Sequence, residues 1–103
     1  MASSKDFLSF VMEQLSVLPD VDYRAMMGEY IIYFRGRVIG GIYDNRFLVK
    51  PTAAAKKIMP NTVTEIPYPG GKPMLMVTDV ENPELLEKLF TAMYPELPDK
   101  KRK

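Results

Sequence analysis

The chain has 103 residues, of which 47% are hydrophobic and 26% are charged, and this composition is typical of one globular domain with a modest core. It contains neither cysteine nor histidine, which excludes disulfides, Ser-His and Cys-His nucleophilic pairs and the usual zinc sites. Four of the 14 basic residues form a tail at positions 100–103, so residues 1–99, which we predict to be a single domain, carry ten basic and 13 acidic side chains and a net charge of −3.

The first predicted element is an amphipathic helix, which Ser3 or Ser4 can cap and which Pro19-Asp20 ends. Six apolar side chains recur at helical spacing and make one stripe for the core: Phe7, Leu8, Val11, Met12, Leu15 and Leu18. Phe10 and Val17 lie off this stripe, seven residues apart. They are either the edge of the stripe touching a loop or a small contact surface for a second subunit.

Four strands are predicted between Val21 and Lys50, and the first of them runs from Val21 to Gly28. Arg35-Gly36 and Asp44-Asn45 separate the apolar runs that follow. Two-residue connections with Gly or Asn favour tight antiparallel hairpins, because these residues accept a positive φ. The stretch is therefore predicted to be a β-meander.

The two middle strands, Tyr30–Phe34 and Val38–Tyr43, are apolar or aromatic on both faces. A strand with one solvated face would alternate apolar and polar residues, so both faces are predicted to be at least partly covered. Gly40 and Gly41 in the second of these strands predict a bulge or the close approach of another element, and a helix is one candidate for that element.

The second half of the chain predicts a short helix, Ala53–Met59, then a loop over Asn61–Pro73 in which prolines and glycines prevent regular structure. A strand resumes over Met74–Thr78, and Asn82-Pro83 opens a last helix with a cap and a favourable first residue. This order predicts an α+β domain with an antiparallel sheet of four to five strands and helices packed largely on one face.

Six residues at strand ends or in the Pro-Gly loop form a candidate ligand-binding site: Arg24, Glu29, Arg46, Lys50, Tyr68 and Lys72. Fixed charges beside an ordered loop suit an anion or a peptide terminus. The simpler explanation, which we favour from the sequence alone, is that Glu29 pairs with Arg24 or Arg46 and that the lysines are solvated. The eight methionines either fill gaps in the core or make an adaptable binding surface. Nothing in the sequence selects catalytic residues, a metal or a cofactor, and we expect none.

Several short motifs follow one another in a fixed order: Arg24-Ala25-Met26-Met27-Gly28-Glu29-Tyr30, Tyr33, Gly36, Gly40, Asp44, Arg46, Val49-Lys50-Pro51-Thr52, Tyr68-Pro69 and Gly71-Lys72-Pro73. Together they resemble the TfoX N-terminal domain family, from about Phe7 to Tyr94. The resemblance implies an α+β fold like that of secretion chaperones, which commonly pair as dimers. It also implies a part in regulating natural transformation competence, which full-length family members perform with the catabolite activator protein.

Competence regulators of this family carry a second, helical domain, whereas this sequence stops at Lys103, so the resemblance predicts a standalone N-terminal domain. The family supplies no catalytic residues. We therefore expect a non-enzymatic regulatory or adaptor domain that acts by protein contact. The alternative is a small-ligand or anion-binding module that uses Arg24, Lys50 and Lys72.

We also expect a homodimer, because helices on one face of the sheet would leave apolar residues such as Tyr33 and Tyr43 uncovered on the other. The competing explanation is that the loop after Asn61 folds over that face. The acidic body predicts no specific binding to nucleic acid. The absence of a bilayer-length apolar stretch and of a signal-peptide core predicts a cytoplasmic protein without membrane contact.

Overall fold

Six antiparallel strands form one sheet in the computed structural model, which describes residues 4–97. The strands are β1 (Val21–Met26), β2 (Glu29–Phe34), β3 (Arg37–Tyr43), β4 (Arg46–Val49), β5 (Thr64–Glu65) and β6 (Met74–Met76). Their order across the sheet is β1-β2-β3-β4-β6-β5. Three helices complete the fold: α1 (Lys5–Gln14), α2 (Ala53–Ile58) and α3 (Pro83–Met93). The α+β class is confirmed, with six strands where four to five were predicted. The predicted tail at 100–103 lies outside the described residues.

Three tight turns build the meander. The predicted hairpins at Arg35-Gly36 and Asp44-Asn45 are confirmed, and all four of these residues have φ between 53° and 82°. A third turn at Met27-Gly28, with φ of 53° and 87°, was missed by the prediction that β1 continues to Gly28. Positive φ at both central residues is the geometry of the primed turns, whose twist matches that of paired strands.

Side-chain caps fix where the helices begin. The predicted caps are present: the hydroxyl oxygens of Ser4 and Thr52 and the amide oxygen of Asn82 each accept a hydrogen bond from a first-turn N–H, at 3.1, 3.1 and 3.2 Å. The first α-helix is shorter than its apolar stripe predicted, because the chain tightens into a 3₁₀ turn over Leu15–Val17 before Pro19.

The helices cover one side of the sheet, which we call the inner face. Its buried side chains include Tyr30, Ile32, Phe34, Ile42, Phe47 and Val49. They pack against buried residues of the helices and the 3₁₀ turn, namely Leu8, Val11, Leu15, Ala55, Leu86, Leu89, Phe90 and Met93. The ring of Phe90 lies at the centre, 5.6 Å from that of Phe34 and 6.2 Å from that of Phe47 between centroids.

The other side of the sheet, which we call the outer face, carries the residues that alternate with the core. Along β2, buried and half-buried positions alternate strictly, so Ile31 and Tyr33 on the outer face are half-buried. The buried side chains of the described helices all join the core on the inner face. Partial cover of both faces was therefore predicted correctly, but no described helix packs its buried residues on the outer face.

A bulge in β3 explains its paired glycines. Ile32 pairs with Gly40 while the next residue, Tyr33, pairs with Val38, which leaves Ile39 as the extra residue. A Cβ on Gly40 would strike the backbone of β4, 2.8 Å from Cα of Val49. The predicted bulge is confirmed, and the close neighbour of Gly40 is strand backbone rather than a helix.

The prediction that the segment from Asn61 to Pro73 lacks regular structure was wrong at one place. Thr64–Glu65 forms β5 and pairs with β6, and the hydroxyl of Thr62 donates to the carbonyl oxygen of Met76. The prolines and glycines of this segment begin only at Pro67, and β-branched residues before it favour a strand. In turn, β6 ends at Met76, two residues before the predicted end at Thr78.

Candidate functional site

One end of the outer face carries a pocket of about 380 Å³. It is lined by Glu29, Asp44, Arg46, Ile66, Pro67, Tyr68 and Pro69. Two tight turns bring the charged residues together, because β2 begins, β3 ends and β4 begins at the same end of the sheet. The loop after β5 supplies the opposite wall, where Pro67 is buried and Tyr68 is 56% exposed.

Two tyrosine rings connect the loop to the sheet. The centroids of the Tyr43 and Tyr68 rings are 5.9 Å apart. The Tyr43 ring also lies against Gly41, where an added Cβ would come within 2.7 Å of it. Burial raises the pKa of the Tyr43 phenol above its ordinary value, and the nearby Tyr68, Glu29 and Tyr33 raise it further. The glycine in β3 thus makes room for a half-buried aromatic pair.

The arginine of the pocket is already engaged. Its Nη1 donates to Oε1 of Glu65 at 2.6 Å, and its Nε donates to the carbonyl oxygen of Tyr43 at 3.2 Å. The ion pair joins β4 to β5 across the intervening β6. The other charged residues of the pocket are Glu29, whose Oε1 accepts from the N–H of Asp44 at 3.3 Å, and Asp44 itself. This charge balance suits a neutral or cationic ligand better than an anion.

The six predicted site residues are not all brought together. Glu29, Arg46 and Tyr68 line the pocket. Lys50 follows the opposite end of β4, four residues and about 13 Å from Arg46 at the usual rise of a strand. Burial lowers the pKa of the Lys50 ammonium from its ordinary value.

The basic trio of the alternative hypothesis is dispersed. Arg24 lies on β1, three strand spacings and about 14 Å from β4, which precedes Lys50. Its guanidinium carbon is 6.0 Å from the centre of the Tyr33 ring. Lys72 is exposed in the loop between β5 and β6. No short contact unites these three cations into one anion site in the described part of the chain.

The four predicted interface residues lie on two different sides of the molecule. Phe10 is half-buried against the core, and Val17 is 50% exposed on the 3₁₀ turn that follows α1. Tyr33 and Tyr43 lie on the outer face, because their side chains alternate along β2 and β3 with those that point into the core. The loop covers the outer face at Tyr43, as the competing explanation predicted, through the contact between the Tyr43 and Tyr68 rings.

Sequence reasoning included Tyr68 but missed the other loop residues that line the pocket, Ile66, Pro67 and Pro69, and the exposure of two methionines. Met27 is 98% exposed because it occupies a turn with positive φ, and Met26 beside it is 49% exposed. The signal for the turn was the Met27-Gly28 pair between two strand-length segments. The signal for the pocket wall was Ile66-Pro67-Tyr68-Pro69, where an apolar residue and an aromatic ring alternate with rigid prolines.

Two further properties concern residues 4–97 as a whole. Within this range, no group of three or more acidic side chains is placed to hold a metal ion. None of the helices in the same range combines the length and the apolar character that crossing a bilayer requires.

Comparison with known proteins places the chain in a family. It is similar to a protein of Spirochaeta aurantia described as "Uncharacterized 12.7 kDa protein in trpE 5'region", with 36% identity over 80 residues that cover 78% of this chain and 70% of that protein. The chain belongs to the same family as that protein. No family model matches the chain, and no solved structure matches it.

The aromatic pair gives a prediction for alkaline pH. Because the pKa of Tyr43 is raised in the folded protein above its ordinary value of 10.0, the unfolded chain releases this proton first as pH rises through that value. The native state should therefore lose stability relative to a Tyr43→Phe variant above about pH 9.5. Urea unfolding of both proteins between about pH 8 and pH 10.5 measures the difference, in which the titratable groups that do not interact with Tyr43 cancel. A pH-independent difference in the free energy of unfolding would contradict the prediction.

Proposed function

We propose that this chain is a non-enzymatic regulatory or adaptor domain of the TfoX N-terminal type, which acts in the cytoplasm by contact with other proteins. Its partner in this proposal is a protein of transcriptional regulation, including regulation of competence, and the domain itself is a homodimer. The proposal draws on the resemblance of the sequence motifs and on the outer face of the sheet. The α+β fold, with helices against one face of an antiparallel sheet, is the class that the resemblance implies.

The observation that carries the proposal is a group of apolar side chains on the outer face, which lie beside the charged residues Asp22, Arg24 and Glu29. Ile31 and Tyr33 on this face are half-buried, although the described helices direct their buried residues to the other side. Exposed apolar residues lie at the same surface, with Met26 49% exposed and Tyr68 56% exposed. Contiguous apolar surface with polar residues around it is typical of protein-binding sites on soluble domains.

A pull-down from cells that contain the native protein tests this proposal. Tyr33→Glu places a charge on the outer face, so it should abolish capture of the partner while the fold is retained. Val17→Glu is the control, because it places the same charge at an exposed apolar residue on the side of the helices. We expect mass spectrometry to identify a transcriptional regulator with the wild-type protein and the Val17→Glu control, and to lose it with Tyr33→Glu.

Two results would contradict the proposal. One is capture that Tyr33→Glu leaves unchanged, and the other is a captured set without any regulator of transcription. Circular dichroism of each variant separates loss of contact from loss of fold. Repeating the capture after deletion of residues 100–103 tests the basic tail, because binding that depends on those four cations should weaken steeply with salt.

A second candidate function is the binding of a small ligand, and the pocket beside Tyr68 favours it. The pocket combines an aromatic ring and proline edges with the carboxylates of Glu29 and Asp44, which is a set suited to a small amine. Titration with a primary amine should shift backbone NMR signals around the pocket, and inorganic phosphate should not. Equal response to both probes, or to neither, would remove this candidate.

A further inference from the structure

β1 is an edge strand with a free side. It lies at one end of the sheet and pairs only with β2 among the described strands. Five of its six residues are exposed. Natural edge strands usually discourage pairing with proline, lysine or a bulge. β1 contains no proline or lysine, and its register with β2 is continuous over all six residue pairs.

The backbone groups of β1 that point away from the sheet are those of Val21, Tyr23 and Ala25. The N–H of Arg35 donates to the carbonyl oxygen of Asp20 at 2.9 Å, one step before the Val21–Phe34 pair. In an antiparallel ladder, hydrogen-bonded and non-hydrogen-bonded pairs alternate. The even-numbered residues of β1 therefore bond to β2, and the odd-numbered residues offer their donors and acceptors to the free side.

We propose that β1 pairs with β1 of a second copy of this chain, antiparallel about a twofold axis at Tyr23. In this register Tyr23 faces Tyr23 of the second copy, and Val21 faces Ala25 in both directions. Every outward backbone group of the three residues is then bonded, which makes about six hydrogen bonds. The two sheets continue as one, with the helices of both copies on the same side.

Charge selects this register over its neighbours. Asp22 and Arg24 both lie on the outer face, since they pair with Tyr33 and Ile31 of β2. With the axis at Tyr23, Asp22 of each copy is directly opposite Arg24 of the other, so two opposite-charge pairs form. Moving the axis to position 22 places two aspartates opposite each other, and moving it to position 24 does the same with two arginines. Like charges directly opposite each other destabilise a sheet.

The occupant is a second copy because the strand is complementary to itself. The sequence Asp22-Tyr23-Arg24 has opposite charges on either side of one central residue. A twofold axis through that residue exchanges the two charges, as an isologous contact requires. This inference gives the homodimer of the proposed function its contact surface, and it leaves the outer face free for another protein.

Charge reversal tests the register. Asp22→Arg alone and Arg24→Asp alone would each place like charges opposite each other in a self-pair, and we expect the self-association constant to fall at least about tenfold. The double variant Asp22→Arg with Arg24→Asp restores both pairs and should dimerise like the wild type. A mixture of the two single variants should also dimerise, because one chain then has two arginines and the other two aspartates at the facing positions.

Sedimentation equilibrium of the full chain measures these outcomes. We expect a mass near twice 11.8 kDa for the wild type, the double variant and the mixture. Val17→Glu, on the side of the helices, is the control that should not change the dimer. Hydrogen exchange locates the contact, since the amides of Tyr23 and Ala25 should become protected as the protein concentration rises.

Three results would overturn the inference. They are a wild-type chain that stays monomeric from micromolar to millimolar concentration, single variants that associate as tightly as the wild type, and a mixture that fails to restore the dimer. A monomeric wild type that still captures a regulator through Tyr33 would reject the β1 contact and leave the protein-contact function standing. A wild-type dimer that captures no regulator would leave the β1 contact standing and reject the protein-contact function.

Discussion

Replacing Gly40 with alanine is expected to lower the free energy of unfolding by about 3 kcal/mol or more. The added Cβ would overlap the carbonyl oxygen of Leu48 and lie 2.8 Å from Cα of Val49. Both are backbone atoms of the neighbouring strand, so no rotation of a side chain can relieve the overlap. Relief requires β3 and β4 to move apart at the bulge, where Gly40 pairs directly with Val49. Urea unfolding of the variant and the wild type measures the loss.

Gly70→Ala is the matched control for this prediction. Gly70 has φ of +85°, but nothing lies within 4 Å of an added Cβ. Its substitution introduces only the backbone strain of a left-handed L-residue, about 1–2 kcal/mol. If Gly40→Ala costs no more than Gly70→Ala, the strands separate easily at the bulge and the steric argument is wrong.

The tight turns show what local sequence can predict and where it stops. Arg35-Gly36 and Asp44-Asn45 were identified because apolar runs end clearly on both sides of each pair. Met27-Gly28 has the same backbone geometry, but its first residue is apolar, so it resembled the continuation of a strand. The turns were therefore predicted from the residue types in and around them. The methionine at the first position of the Met27-Gly28 turn hid that turn. Local sequence also could not predict that β1 is an edge strand, because that position depends on the order of the strands in the sheet.

The candidate site depended on contacts that distant segments make. Strand β6 inserts beside β4, and β5 pairs on its far side, which no local pattern encodes. This insertion brings Glu65 to Arg46 and the Tyr68 loop to Tyr43. Lys50 was grouped with Arg46 because both flank the same strand. They lie at opposite ends of β4. A strand of four residues is longer than a side chain, so the two residues cannot meet in one site.

Replacing Phe90 with alanine is expected to lower the free energy of unfolding by about 3–5 kcal/mol, which is the usual cost of removing a fully buried aromatic ring. Phe90 has no exposed surface, and its ring contacts those of Phe34 and Phe47 on two different strands. Those strands are held by hydrogen bonds to their neighbours, so they cannot close the space that the ring leaves. The cost should therefore include the cavity as well as the lost burial. Thermal or urea unfolding of the variant measures it.

Phe10→Ala removes the same number of atoms from a half-buried position at the edge of the core. Because water already reaches part of this ring and can enter the space left by its removal, the expected cost is only about 1–2 kcal/mol. Because the substitution is chemically identical, the difference between the two losses in the free energy of unfolding measures the effect of complete burial of the ring. Equal losses would show that the helix α3 moves toward the sheet when Phe90 is shortened. In that case the aromatic contacts across the inner face, rather than a rigid frame of helix and sheet, set the spacing between them.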